Sequence, residues 1–362
     1  MSNHEYESYL DEAALLRGLQ DHPDYISDAE MLVVSAQLCD FYQDMKREQP
    51  VQSEVYLPGG EWAAYLQEQE HLYRPLLAGD QVGTISLLRN FWRNGLSPLV
   101  KQYSTYSKLL GDRRSRLGFV DVMSHDYMIW KNLLNAPDEE LRIPLIGNPW
   151  GYYIHDVLIA PKALRYHVLA SQIREITSDS EHPIVAEIGA GYGGTAYYLL
   201  CKDEPITYID FDLPEVLTVA AYYLSMALPH RKVLLYRPGL KIELEAMRRY
   251  DIILMPNWKL PQLPSESVDL FLNTFSLSEM PYATICDYIA HIERCCSGYF
   301  LYNNVDREGV INRGHQRVPC SHYPISMEIF KVLYKRYDLF QRLHHGKDGD
   351  YREVLLQRRK AG

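Results

Sequence analysis

Residues 184–194 read Ile-Val-Ala-Glu-Ile-Gly-Ala-Gly-Tyr-Gly-Gly, an apolar run that carries an acid two positions before a glycine-rich turn. Ile184, Val185 and Ile188 have the make-up of a buried strand, and Gly189, Gly191 and Gly193 supply positive φ angles and room for a ligand to approach the backbone. The run from Thr195 to Cys201 reads as the helix into which the turn opens. A strand, a tight glycine turn and a helix in this order make a site for a nucleotide-type ligand.

Two cofactors suit such a turn. Gly189, Gly191 and Gly194 satisfy G-x-G-x-x-G, which cradles the pyrophosphate of NAD at a helix N-terminus. Glu187 separates the two: its carboxylate faces a pyrophosphate unfavourably, whereas S-adenosylmethionine has no phosphate and offers an ammonium that a carboxylate holds directly or through water. Downstream, Ile206–Phe211 reads as the next strand and runs into Asp212-Leu-Pro-Glu-Val216. An acid at this strand end accepts both ribose hydroxyls. Asp210 and Asp212 both lie about twenty residues beyond the first glycine, the usual distance for that role. Asp212 is favoured because Pro214 opens a helix directly after it, with Asp210 as the fallback.

Glu187-x-Gly189-x-Gly191-x-Gly193 and Phe211-Asp-Leu-Pro-Glu-Val216 resemble the motifs of class I S-adenosylmethionine-dependent methyltransferases, over about residues 165–360. A narrower likeness adds Asn273-Thr-Phe-Ser-Leu-Ser-Glu-Met280 and the Tyr-rich front half, and is similar to the sugar O-methyltransferase family. The resemblance implies an α/β fold: a Rossmann-like domain at 161–362 with a mostly parallel seven-stranded sheet, preceded by a mainly helical lobe at 1–160. It implies S-adenosylmethionine as cofactor and in-line methyl transfer to a hydroxyl of a sugar or glycosylated metabolite, assisted by a general base.

The 362 residues and 47% hydrophobic content suit two domains, or one large domain with an appended lobe. Met1-Ser-Asn-His-Glu-Tyr-Glu is acidic where a signal peptide is basic, and no apolar run reaches bilayer length, so a cytoplasmic protein without membrane partners is expected. The net charge of −10 argues against nucleic acid as partner. Six cysteines without C-x-x-C pairing suggest neither a zinc site nor a disulfide framework.

Residues 1–165 read as mostly helical. Ser27-Asp-Ala-Glu30 fits a capping box, Ser97-Pro98 marks another helix start, and the front helices are candidates for a homodimer interface. Pro144–Tyr153 reads as an ordered loop that either closes over a ligand or packs between the two halves. Lys232–Arg237 and Asp251–Pro256 are both candidates for the third sheet position, followed by Val268–Phe275 and Tyr299–Asn303. Tyr337–His345 and Tyr351–Arg359 flank Gly346–Asp350 as a terminal hairpin.

Ligands of open α/β sheets bind beyond the carboxyl ends of the strands. That rule selects Asn257 and Trp258 for the adenine, by hydrogen bonding and stacking, and Ser276, Ser278, Glu279 and Met280 beside the sulfonium. Glu279 positions a substrate hydroxyl, binds a divalent ion or caps the following helix. Asp306, His315 and His322, in the loop after the fifth strand, are the leading candidates to remove the acceptor's proton, and His125-Asp126 and His155-Asp156 are other base pairs. Asp306 with Glu279 and Asn304 is the alternative of a magnesium site. The competing functions are N- or C-methylation of another small metabolite, an NAD-dependent nucleotide-sugar oxidoreductase, and a non-catalytic binding protein.

Overall fold

Strands whose apolar runs continue without polar alternation must be covered on both faces, which is the signature of a parallel sheet flanked by helices. Ile184–Ile188 and Ile252–Pro256 are buried at every position, and Thr207–Asp212 at all but the last. In this computed structural model the structure describes residues 11–96, 99, 103–241, 243–310, 316–344 and 350–360. The helices are α1 (Glu12–Gly18), α2 (Asp28–Glu48), α3 (Gly60–Glu68), α4 (Glu70–Ala78), α5 (Gln81–Leu88), α6 (Tyr103–Gly111), α7 (Arg113–Leu134), α8 (Ala163–Ile176), α9 (Gly194–Leu200), α10 (Pro214–Ala227), α11 (Leu244–Met247), α12 (Tyr282–Cys295) and α13 (Leu339–His344). The strands are β1 (Tyr152–Ile154), β2 (Val157–Ile159), β3 (Ile184–Ile188), β4 (Thr207–Asp212), β5 (Val233–Leu235), β6 (Ile252–Pro256), β7 (Val268–Thr274), β8 (Cys296–Val305), β9 (Gly309–Val310), β10 (Gln316–Arg317), β11 (Phe330–Tyr337) and β12 (Tyr351–Arg358).

The main sheet runs β11-β12-β8-β7-β3-β4-β6-β5 and is Rossmann-like. Strands β3 to β8 within it are parallel, while β12 pairs antiparallel with β8 and with β11. It has eight strands, not the expected seven, because both candidates for the third position enter it: β6 pairs with β4, and the three-residue β5 adds an outer edge. The terminal pair is also shifted. Its first arm is Phe330–Tyr337, and of the residues expected there only Tyr337 is in it, while Leu339–His344 form the short helix α13 instead. The expected turn at Gly346–Asp350 lies almost wholly outside the described residues.

The helical front half packs continuously onto this sheet. Ser27 caps α2, its Oγ accepting the Glu30 amide at 3.2 Å. At the far end of α2, Lys46 and Tyr42 reach Glu215 of the Asp-Leu-Pro-Glu stretch, at 2.9 and 3.2 Å. The expected Ser97-Pro98 helix start lies outside the described residues. The 144–153 segment is packed, not free to close: Trp150 is fully buried and donates to the Trp92 carbonyl at 3.1 Å, while Gly151 donates to Gly18. No described helix is long and apolar enough to cross a membrane.

Candidate active site

A cavity of about 590 Å³ opens beyond the carboxyl ends of β3, β4, β6 and β7, a volume within the usual range for small-molecule sites. Its floor is the glycine turn. Gly189 has φ +77°, and a Cβ there would stand 2.3 Å from Ser276 Oγ, so only glycine fits. Gly189, Gly191 and Ser276 line the cavity, and Ser276 Oγ is held by the Ile188 carbonyl at 2.9 Å and Asn273 Nδ2 at 2.5 Å. Gly193 serves elsewhere: it is absent from the wall, and at φ +89° it caps α9 where a side chain would strike Leu224 at 2.8 Å.

Three acids gather around this turn. Parallel pairing puts Glu187 in register with Asp210, and Asp212 follows two residues on along the same strand. Glu187 is sealed behind the cavity wall, where the Tyr208 hydroxyl and, at 3.5 Å, the Thr274 hydroxyl reach it; burial pushes its carboxyl up to about 7. Both oxygens of fully buried Asp210 lack a hydrogen bond, the Ala190 amide facing them outside good geometry. Burial and the neighbouring Asp212 and Glu187 charges hold that carboxyl protonated well above its ordinary range. Asp212 does line the cavity. It accepts the Leu213 amide at 2.7 Å and the Gly191 amide at 3.3 Å, yet burial pushes it to about 7 against those bonds.

Beyond Asp212 the wall becomes apolar, with Leu213 and Val216, then Asn257, Thr284 and Tyr288. Asn257 Nδ2 donates to Tyr288 at 2.9 Å and to the Tyr56 carbonyl at 3.0 Å, and its Oδ1 is buried without a partner. Trp258 is buried away from the wall, so the ring beside Asn257 is Tyr288, stacked on Tyr56 at 5.9 Å.

Glu279 also lines the cavity. Its Oε2 accepts Trp62 Nε1 from α3 at 2.9 Å, and burial pushes the carboxyl up to about 7 despite that bond. Next to it, Phe275 occupies left-handed backbone at φ 69°, a conformation that costs a bulky residue about 1–3 kcal/mol.

The loop after β8 is built differently. His315 lies outside the described residues. His322 is exposed in a shallow depression with Tyr282, Glu308 and Arg317, away from the cavity. Asp306 is also off the cavity wall, bound to the Ser321 amide at 2.8 Å, Lys335 at 3.1 Å and Arg352 at 3.8 Å. Burial works to raise its carboxyl, but Ser321 and Lys335 outweigh it and hold it at about 2, too weak a base to take a proton. Asn304 is spent on Asn273 at 2.8 Å and the Ser278 amide at 3.2 Å, so Glu279, Asn304 and Asp306 do not assemble as magnesium ligands. In the front half, His125 is turned to Asp121 and His155 to Asp138, whereas Asp126 alone of those residues lines the cavity.

Sequence reasoning missed Trp62, Tyr288, Phe275 and Arg165, all on the wall. Trp62 meets Glu279 across 217 residues, a separation at which no local pattern survives.

No family model matches the chain, and no curated protein matches it. Among solved structures, it is similar to magnesium protoporphyrin IX methyltransferase from Synechocystis PCC 6803 with bound SAM, at 13% identity over 54% of this chain and 81% of that one, with a TM-score of 0.37. A glycopeptide N-methyltransferase complexed with sinefungin matches at 14% identity over 54% of this chain and 87% of that one, with a TM-score of 0.38. Both likenesses are weak.

Proposed function

We propose that the chain is an S-adenosylmethionine-dependent methyltransferase that transfers a methyl group to a hydroxyl of a small metabolite, a sugar or glycosylated compound. One observation carries this reading: the glycine turn already serves a carboxyl group of the chain itself. The Gly191 amide, which a pyrophosphate would need, donates to Asp212, and Glu187 and Asp210 lie behind it with no cationic side chain bonded to any of the three among the described residues. Such a site repels a dinucleotide and favours a cationic ligand without phosphate.

The residues present fit that group. Asp212 faces the cavity where it can accept ribose hydroxyls, the orphaned Oδ1 of Asn257 can accept an amine hydrogen of adenine, and Leu213, Val216 and Tyr288 enclose an apolar ring. Bound S-adenosylmethionine supplies a methyl group already activated on a sulfonium. The protein's task is to hold the acceptor oxygen in line and take its proton. Glu279 is the group for the second task, since it is in the cavity and its carboxyl, at about 7, is matched to neutral pH. Residues 1–160 act as the acceptor's cover: Val55, Leu57, Pro58 and Trp62 close the cavity over Glu279 and exclude water.

Incubation with S-adenosylmethionine and a panel of sugars, glycosides, amines and activated carbon acids, with the methylated bond located by NMR, tests the proposal. An O-methylated sugar is the expected product. Reaction of amines or carbon acids alone would sink the O-methyl reading.

A further inference from the structure

Arg165 is the third residue of α8, on the cavity wall, with its side chain 16% exposed. One edge of its guanidinium is fixed: Nη2 donates to Asp338 Oδ1 at 2.7 Å. Asp338 is itself anchored by Asn303 Nδ2 and by the Gln341 amide at 2.6 Å. The plane of the group is set by Phe275, whose ring centroid is 4.6 Å from the guanidinium carbon, with Phe340 at 5.3 Å. Phe275 reaches that place from its left-handed backbone, so local strain is accepted where the guanidinium is clamped.

The other edge of this fork is free. Among the described residues the bond to Asp338 is its only hydrogen bond, and none of its nitrogens is walled in without a partner, so the remaining N–H groups are open to a ligand. A mere tertiary tie between α8 and Asp338 does not require an aromatic clamp or an accessible second edge. A planar guanidinium held rigid by neighbours and presenting parallel N–H groups is the usual device for recognising paired anionic oxygens. Lys162, three residues earlier, adds positive charge to the same wall. The acids facing the cavity are Asp126, Asp212 and Glu279. The chamber therefore carries both signs of charge on its wall, with Lys162 near enough to Glu279 to work against the rise in its carboxyl.

We propose that Arg165 is a specificity residue: it binds a carboxylate or phosphoryl group of an acceptor whose hydroxyl faces Glu279. The inference rests on the methyltransferase reading and narrows it, from sugars in general to uronic acids or sugar phosphates.

The test titrates the full chain calorimetrically, first with S-adenosylhomocysteine to saturation. Glucuronate, galacturonate and glucose 6-phosphate then follow, against neutral glucose and galactose. Failure of the first titration would count against the methyltransferase reading itself; only the second bears on Arg165. The expected result is that at least one anion binds at least tenfold tighter than its neutral counterpart, and that R165K, which keeps the charge but not the fork, loses that preference while binding S-adenosylhomocysteine normally. Should R165K fail to take up S-adenosylhomocysteine, R165Q carries the same comparison. Preference for glucose 6-phosphate assigns phosphate, and preference for the uronates assigns carboxylate. No anion outbinding its neutral partner, or an unchanged preference in the variant, overturns the proposal.

Discussion

Carboxylates at the ends of two strands of one sheet, β4 and β8, have opposite characters. At the end of β4, Asp212 has only two backbone amides for company, and burial drives it to about 7, as it drives Glu187 at the end of β3. Just past β8, Asp306 is also partly desolvated, but Ser321, Lys335 and Arg352 surround it and it stays at about 2. The residue type and the strand-end position are shared; the counter-charge is not. An acid that the chain neutralises itself is structurally complete, whereas buried acids without a cation await one from outside.

Removing one carboxylate from the cavity and one from the loop after β8 should give very different losses. Glu279→Gln should cut turnover by about 10²–10⁴-fold, the span of a general base, while cofactor affinity holds. Asp306→Asn should leave turnover within about threefold, since removing a general base costs far more. Steady-state rates of S-adenosylhomocysteine formation measure both, and a loss in Asp306→Asn as large as in Glu279→Gln would reverse the assignment.

Next in size, Asp212→Asn should weaken S-adenosylmethionine by about 10–100-fold, the worth of charge-assisted hydrogen bonds. An affinity unchanged by that substitution would remove Asp212 from the site. Binding should also depend on pH. With Asp212 and Glu187 both near 7 before the ligand enters, a cation binds their ionised forms better, so affinity should rise between pH 6 and 8. Isothermal titration across that window checks the sign, and a fall in affinity would contradict it.

The smallest effects are on stability, and they should have opposite signs. Glu187 rises from its ordinary 4.5 to about 7 on folding, so the ligand-free fold binds the extra proton and loses stability as pH climbs through that interval. Glu187→Gln should therefore be more stable than the parent at pH 8 by about 1 kcal/mol, with the difference shrinking towards pH 4. Asp306 falls from 3.8 to about 2, so its contribution is present above 3.8 and fades as pH drops through 2. Asp306→Asn should cost about 1 kcal/mol at neutral pH after allowance for solvent screening. Urea unfolding of both variants at several pH values tests the pair, and shifts of the same sign would break the contrast.

The glycine turn and its flanking acids were legible because their geometry is local. Glu187, the glycine turn and Asp212 fall within two consecutive strand-turn units, and short spacings report geometry there. The extra edge strand was visible as a candidate, but its rank in the sheet depends on which of two apolar runs pairs with β4, a tertiary choice. The wall around Glu279 and Arg165 was largely hidden. Trp62 meets Glu279 and Arg165 meets Asp338 at separations of 217 and 173 residues, and the positive φ of Phe275 runs against its own steric preference. Asp306 and His322 looked catalytic because loops after strands carry function. Pairing with Lys335 and Arg352 takes Asp306 out of play, and His322 sits in a depression of its own.

If the glycine turn is built for a cation and against a pyrophosphate, calorimetric titration of the full chain with S-adenosylmethionine, with NAD as the comparison, will distinguish the two ligands. S-adenosylmethionine should bind saturably, with a heat that varies with buffer as protons leave the buried acids, and NAD should show no saturable binding. Saturation by NAD with no response to S-adenosylmethionine would contradict that reading of the turn.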